Sequence, residues 1–138
     1  MKHAIIMAHP GGASFTATMA QAYETAVRAK GHTVIMRDLY RMKFDPCLKE
    51  FEIPWAADFK APQDVLDEHS LLAGADIFAL FYPLWLNSPP AILKGYMERV
   101  FGMDFAYRRG RGGNEPLLTD KRLFTVSSSG APMDWVVK

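Results

Sequence analysis

Asp76-Ile77-Phe78-Ala79-Leu80-Phe81-Tyr82 is an almost unbroken apolar run, stopped by Pro83. A strand buried on both faces reads this way, because helices cover both sides of a parallel sheet. Toward the N-terminus, Ala4-Ile5-Ile6-Met7-Ala8 is a second such run, opened by His3 and ended by the breakers His9-Pro10-Gly11-Gly12. Apolar side chains then recur at Phe15, Met19, Ala22, Tyr23, Ala26 and Val27, the spacing of one helix face. Ser14 stands at the N-cap of that helix and Gly31 at its C′ position. Thr33-Val34-Ile35-Met36 predicts the next strand. Nearer the central run, Gln63 to Leu72 predicts a short helix ending near Gly74. Beyond it, Ile92, Leu93, Tyr96, Met97, Val100 and Phe101 form a helical stripe, with Asn87 or Ser88 as cap and Pro89 near the first position. Leu123-Phe124-Thr125-Val126 predicts a fourth strand.

Two stretches lack a period. Residues 38–62, punctuated by Pro46, Pro54 and Pro62, read as a long connection. A loop of that length in a compact domain is either functional or packed. Gly110, Gly112 and Gly113 among Arg108, Arg109 and Arg111 read as a mobile loop.

Strands alternating with helices, joined by right-handed crossovers, make a doubly wound α/β sheet. The expected arrangement is flavodoxin-like, with strand order 2-1-3-4 and a fifth strand absent. Residues 1–138 are thus expected to be one domain, short of its last strand and helix, with an open edge on strand four.

Composition narrows the function. The 138 residues carry 16 Lys and Arg against 15 Asp and Glu, a net charge of +1, which disfavours a general nucleic-acid binder. With 49% apolar residues the chain can build a true core. Cys47 is the single cysteine, so no internal disulfide and no cysteine-based zinc site can form, and the four histidines show no metal-binding spacing. No run reaches membrane-spanning length, and the N-terminus reads as a strand, not a signal peptide. The expected home is the cytoplasm.

Open α/β sheets bind ligands at the carboxyl ends of their strands, near the switch point. In this order the loops after strands one, three and four share one crevice. They are His9-Pro10-Gly11-Gly12-Ala13-Ser14-Phe15-Thr16, Pro83-Leu84-Trp85-Leu86-Asn87-Ser88 and Ser127-Ser128-Ser129-Gly130. The first offers hydroxyls, backbone N–H groups and a helix N-terminus to a phosphate, or is simply a Ser-capped helix. It is neither a Walker A loop nor a dinucleotide fingerprint. In the second, Trp85 either lies against a flat heterocycle or caps the core. The third is a hydroxyl-rich polar edge or an ordinary turn. Phosphate at one end and a flat ring at the other describe a flavin nucleotide. Tyr107 lines a ring pocket or ends the packed segment after Phe105.

Ala8-His9-Pro10 with Ser14-Phe15, Arg37-Asp38-Leu39-Tyr40, Phe44-Asp45-Pro46 and the block from Ala75 to Tyr107 resemble the DT-diaphorase-like NAD(P)H:quinone oxidoreductases. Within that block the similarity is carried by Phe81-Tyr82-Pro83-Leu84-Trp85, Pro90-Ala91-Ile92-Leu93-Lys94-Gly95, Glu98-Arg99-Val100-Phe101 and Phe105-Ala106-Tyr107. The resemblance implies a flavodoxin-like homodimer holding FAD or FMN. It also implies hydride transfer from NAD(P)H through the flavin to a quinone or similar two-electron acceptor. His9, Ser14, Phe15 and Thr16 would hold flavin phosphates. Pro83, Leu84, Trp85 and Leu86 would hold the ring, with Ser127, Ser128, Ser129 and Gly130 at its polar edge. Tyr107 and Trp85 would border the reacting face. Thr16 replaces a frequent Asn, Ser129 a Gly and Asp104 a Gly. The family's Tyr and His that assist hydride transfer lie downstream of the third loop. The alternative is a flavodoxin-like electron carrier or regulatory flavoprotein, such as a potassium-efflux ancillary protein, with little turnover of its own.

Overall fold

A computed structural model describes residues 1–130. Their order is β1 (Lys2–Met7), α1 (Phe15–Ala29), β2 (Thr33–Asp38), a single 3-10 turn (Glu50–Glu52), α2 (Gln63–Leu72), β3 (Ile77–Pro83), α3 (Ala91–Val100), β4 (Tyr107–Gly110), β5 (Gly113–Pro116) and β6 (Arg122–Ser128). The sheet runs β2-β1-β3-β6, all parallel, which is the predicted 2-1-3-4 order with β6 as the fourth sheet strand. A fifth sheet strand is not among the described residues.

Alternation along the central strands sends side chains to both faces. Ile5, Met7, Ala79 and Phe81 pack with Ala17 and Ala20 of α1. Ala4, Ile6, Phe78 and Leu80 pack on the other face with Leu72 of α2 and Leu93, Tyr96 and Val100 of α3. Ile5 and Ile6 are fully buried on opposite faces, each contributing about 1.5–3 kcal/mol. The stripe read between Ile92 and Phe101 therefore belongs to the chain's own core.

The residues read as a mobile glycine and arginine loop instead form the hairpin β4–β5. Arg111-Gly112 is a two-residue turn, and the Arg108 guanidinium bonds Glu115 across the ladder at 2.8 Å. The predicted cap of α3 also differs. The helix starts at Ala91 after Pro90 with no side-chain cap, because Asn87 and Ser88 belong to a separate turn. Gly95 lets α3 approach the long connection: a Cβ there would stand 2.2 Å from the Pro46 carbonyl oxygen.

The long connection of residues 38–62 is packed. Its clamp is Arg99 on α3, whose side chain is 3% exposed. Arg99 Nε donates to Glu52 at 2.8 Å, Nη1 to the Asp45 carbonyl at 2.7 Å, and Nη1 and Nη2 to Asp64 at 2.8 and 3.0 Å. Burial works against its charge, but the bonds to Asp64 and Glu52 outweigh it and raise its pKa further. A second buried group ties β2 to both helices: Glu68 accepts from Arg37 Nε at 2.9 Å and from the Tyr96 hydroxyl at 2.6 Å. Burial, and then the carboxylate of Glu68, push the Tyr96 hydroxyl far up in pKa, so it stays a donor.

Candidate functional site

The carboxyl ends of β1, β3 and β6 meet, as parallel register demands. The Ala8 amide donates to the Phe81 carbonyl at 2.9 Å, and the Leu84 amide to the Ser128 carbonyl at 2.7 Å. The hydroxyls of Thr16 and Ser128 are 3.5 Å apart, linking the first loop to β6. The rings of His9 and Trp85 lie 5.7 Å apart, linking the first loop to the second. These contacts bring His9, Thr16, Leu84, Trp85 and Ser128 together at the carboxyl end of the sheet, where the crevice is expected.

The first loop ends in a well-made helix start. Ser14 caps α1, its hydroxyl oxygen accepting from the Ala17 amide at 3.1 Å, while its carbonyl takes the Thr18 amide. The amides of Phe15 and Thr16 make no bond within the described residues, which leaves the donors and the dipole an anion uses. Thr16 is buried, whereas Phe15 is 69% exposed and displays its ring outside the core. His9 Nδ1 lies 3.0 Å from the Gly11 amide nitrogen and 3.1 Å from the Gly11 carbonyl oxygen, so it accepts from the first in one tautomer and donates to the second in the other.

The second loop is a tight turn. Trp85 and Ser88 exchange backbone hydrogen bonds of 3.0 and 2.9 Å. Leu86 and Asn87 between them have φ of 51° and 56°, the left-handed pair of a type I′ turn. A leucine in this conformation costs about 1–2 kcal/mol. Strain of this kind persists where the surroundings impose it and is frequent at ligand sites. Trp85 is half-exposed and Leu86 fully exposed. The turn thus presents an indole, an isobutyl group and two amides, Leu86 and Asn87, that bond nothing among the described residues, beside the phosphate-type loop. Trp85 does not cap the core.

The third stretch is partly strand. Ser127 and Ser128 close β6, pairing with Tyr82 and Pro83, and only Ser129 and Gly130 lie beyond it. Tyr107 stands elsewhere. It opens β4 and lines a cavity of about 240 Å³ together with Trp55, His69, Arg99 and Met103. Among the described residues no bond joins it to the crevice.

Sequence reasoning assigned no role to Arg41. Its Nη2 lies so close to Gly12 that a Cβ there would stand 2.5 Å away. The turn residues Arg37-Asp38-Leu39-Tyr40 were visible, but nothing in their spacing tells where the next side chain reaches. Among the described residues no three His, Cys, Asp or Glu side chains are grouped to hold a metal ion, and no helix is long and apolar enough to cross a membrane.

Residues 1–137 match the family described as flavodoxin-like fold. A Haemophilus influenzae protein described as an uncharacterized NAD(P)H oxidoreductase is 38% identical over 97% of this chain and 67% of its own length. NAD(P)H dehydrogenase [quinone] 1 of Cavia porcellus is 31% identical over 97% of this chain and 55% of its own. Among solved structures, an NAD(P)H:quinone oxidoreductase from Methanothermobacter marburgensis superposes with a TM-score of 0.86 at 31% identity, covering 99% of this chain and 70% of that one. The chain thus spans between about half and two thirds of the curated relatives it matches. On this sheet order, and on matches that run nearly end to end, the chain belongs to the flavodoxin-like fold family, alongside the NAD(P)H:quinone oxidoreductases.

Proposed function

We propose that the crevice holds a flavin and that the protein is a cytoplasmic, homodimeric NAD(P)H oxidoreductase acting on a quinone or similar two-electron acceptor. The observation that carries this reading is the convergence of three unlike surfaces: open amides at a capped helix start, an exposed Trp85 turn, and the Ser128 hydroxyl beside Thr16. A flavin mononucleotide needs those three surfaces, for its phosphate, its ring and its polar ring edge. The names of the Cavia porcellus and Methanothermobacter relatives support the same reaction class.

The residues fit such a group. The Phe15 and Thr16 amides, free among the described residues, the Ser14 hydroxyl proton and the His9 ring would bind a phosphate. Trp85, Leu86 and Phe15 supply exposed apolar surface that a ring would cover and dry. The amides of Leu86 and Asn87 would donate to ring carbonyl or ring nitrogen acceptors, and Ser127, Ser128, Ser129 and Gly130 would border the other edge. The chemistry supplied by a flavin there is two-electron transfer from a nicotinamide to a quinone-type acceptor, and the protein's part is position and polarity. Tyr107 would join the reacting face from a partner subunit, since its own chain keeps it at the separate cavity.

Steady-state oxidation of NADH and NADPH with a water-soluble quinone tests the reaction. Turnover supports it. Bound flavin without turnover supports an electron carrier or regulator instead.

A further inference from the structure

At the amino-terminal end of the sheet, opposite the crevice, three titratable side chains are bonded in series. His3 on β1 is buried with both ring nitrogens engaged: Nδ1 lies 2.7 Å from the Tyr23 hydroxyl of α1, and Nε2 lies 2.8 Å from His32 Nδ1. The two imidazole planes differ by 23° and their centroids are 5.0 Å apart, so the rings meet nearly edge to edge. His32 is half-buried in the turn from α1 to β2, after Gly31 at a φ of 78°. Three backbone bonds hold that turn: the Gly31 amide to the Arg28 carbonyl at 2.9 Å, the His32 amide to Val27 at 3.1 Å, and the Thr33 amide to Met1 at 3.1 Å. Burial, then His32, then the terminal amine hold His3 below its ordinary value, against the pull of Asp76. Asp76 accepts from the Lys2 amide and has Lys121 nearby. Val34 of β2 and Ile77 of β3, which flank His3, do not titrate, and neither do Phe81 and Phe124, which pack on Tyr23. On α1, Glu24 is paired with Arg28, and Lys30 is the C-cap before the turn.

Counting protons along this series shows what it tolerates. With both rings neutral, Tyr23 donates to His3 Nδ1, His3 Nε2 donates to His32 Nδ1, and His32 keeps its proton on Nε2. One added proton breaks no bond: His3 Nδ1 now donates, Tyr23 turns from donor to acceptor, and the bond between the rings survives. A second added proton puts a proton on all four nitrogens, so two N–H groups meet head-on where one bond stood. Like charges at that distance, one of them buried, do not coexist. We propose that His3 and His32 form an acid-sensitive latch on the turn between α1 and β2: the pair holds one proton with its bonds intact, and a second proton ejects the His32 ring and frees the turn. His32 is the ring that leaves, because it is half-exposed whereas His3 is buried and tied to Tyr23 on its far side. The latch stands apart from the flavin reading, since it lies at the other end of β1 from the first loop.

The test is an NMR titration of the full chain from about pH 8 to about pH 4, following the histidine ring signals and the backbone amides together. The pair should take up protons in two steps at least about one pH unit apart. The amides of Gly31, His32 and Thr33 should shift in the second step, while those of Ala8 and Leu84 at the crevice stay in place. In His32→Gln, which keeps an acceptor for His3 without a second charge, His3 should take up its proton in one step, at higher pH than the second step of the parent chain. The turn amides of that variant should not respond. A single step with one midpoint for both rings, no second step above about pH 4, or turn amides unmoved through it would overturn the latch. So would a second step that coincides with loss of the whole fold, or an acid response of the turn that survives in His32→Gln.

Discussion

Arg99→Met is the sharpest test of how the long connection is held. The substitution keeps most of the stem and removes the guanidinium. Asp64 is half-exposed and can be rehydrated, so its loss is worth at most about 1 kcal/mol. Glu52 cannot, since its side chain is 4% exposed and would remain as a buried, unpaired carboxylate. Breaking a buried pair from one side costs about 3–5 kcal/mol. For 138 residues at about 2.1 cal/mol/K each, the unfolding entropy is about 290 cal/mol/K, so Tm should fall by about 10–17 °C. Glu52→Gln in the Arg99→Met background should restore about 2 kcal/mol, because the amide can still accept from the Lys49 amide without carrying charge. Urea unfolding of the four proteins in the cycle gives each value. A loss below about 1 kcal/mol in Arg99→Met, or no recovery in the double variant, would refute the claim that an orphaned carboxylate dominates the cost.

Gly95→Ala places a methyl group against the Pro46 backbone and should destabilise the chain by about 3 kcal/mol in the same assay; a change under about 0.5 kcal/mol would show that α3 and the connection part easily. Burial, then neighbouring His32, lowers the pKa of His3, whose ring is bonded to Tyr23 and His32. The folded state therefore binds its proton less readily than the unfolded chain, so this contribution is present above pH 6.5 and is lost as pH falls toward the depressed folded value. Stability should decline from neutral pH to about pH 5, and a His3→Leu variant, weaker throughout, should decline less steeply. Trp85→Ala should weaken flavin binding at least about tenfold without lowering Tm, since half of the side chain already faces solvent; unchanged affinity would remove Trp85 from the ring site.

The parallel sheet was legible because its central strands are apolar on both faces, and α1 because its cap and stripe agree. Ser14 could be read as a cap from its neighbours alone, and it is one. The hairpin was not legible. Its residues, Tyr107 to Pro116, are mostly exposed, glycine-rich and charged, and pair through the backbone with no apolar alternation to announce them. The clamp around Arg99 was hidden for a different reason. Its partners Glu52 and Asp64 lie 47 and 35 residues away in sequence, and periodicity reports no pairing at that distance. In the crevice, the residue types were readable loop by loop, but the left-handed pair was not: Asn87 suits such a turn, whereas Leu86 is a residue type that rarely adopts that conformation. Arg41 escaped for the same reason as Arg99, since its reach to Gly12 is a property of the folded backbone.

The visible absorbance spectrum of the purified chain, recorded anaerobically before and after NADPH and then NADH, tests most directly whether the crevice holds a flavin that accepts a hydride. A flavin spectrum that bleaches promptly with either nucleotide is the predicted result, establishing both the occupant of the crevice and its acceptance of a hydride. No flavin after reconstitution, or a bound flavin that stays oxidised with both nucleotides, would contradict it.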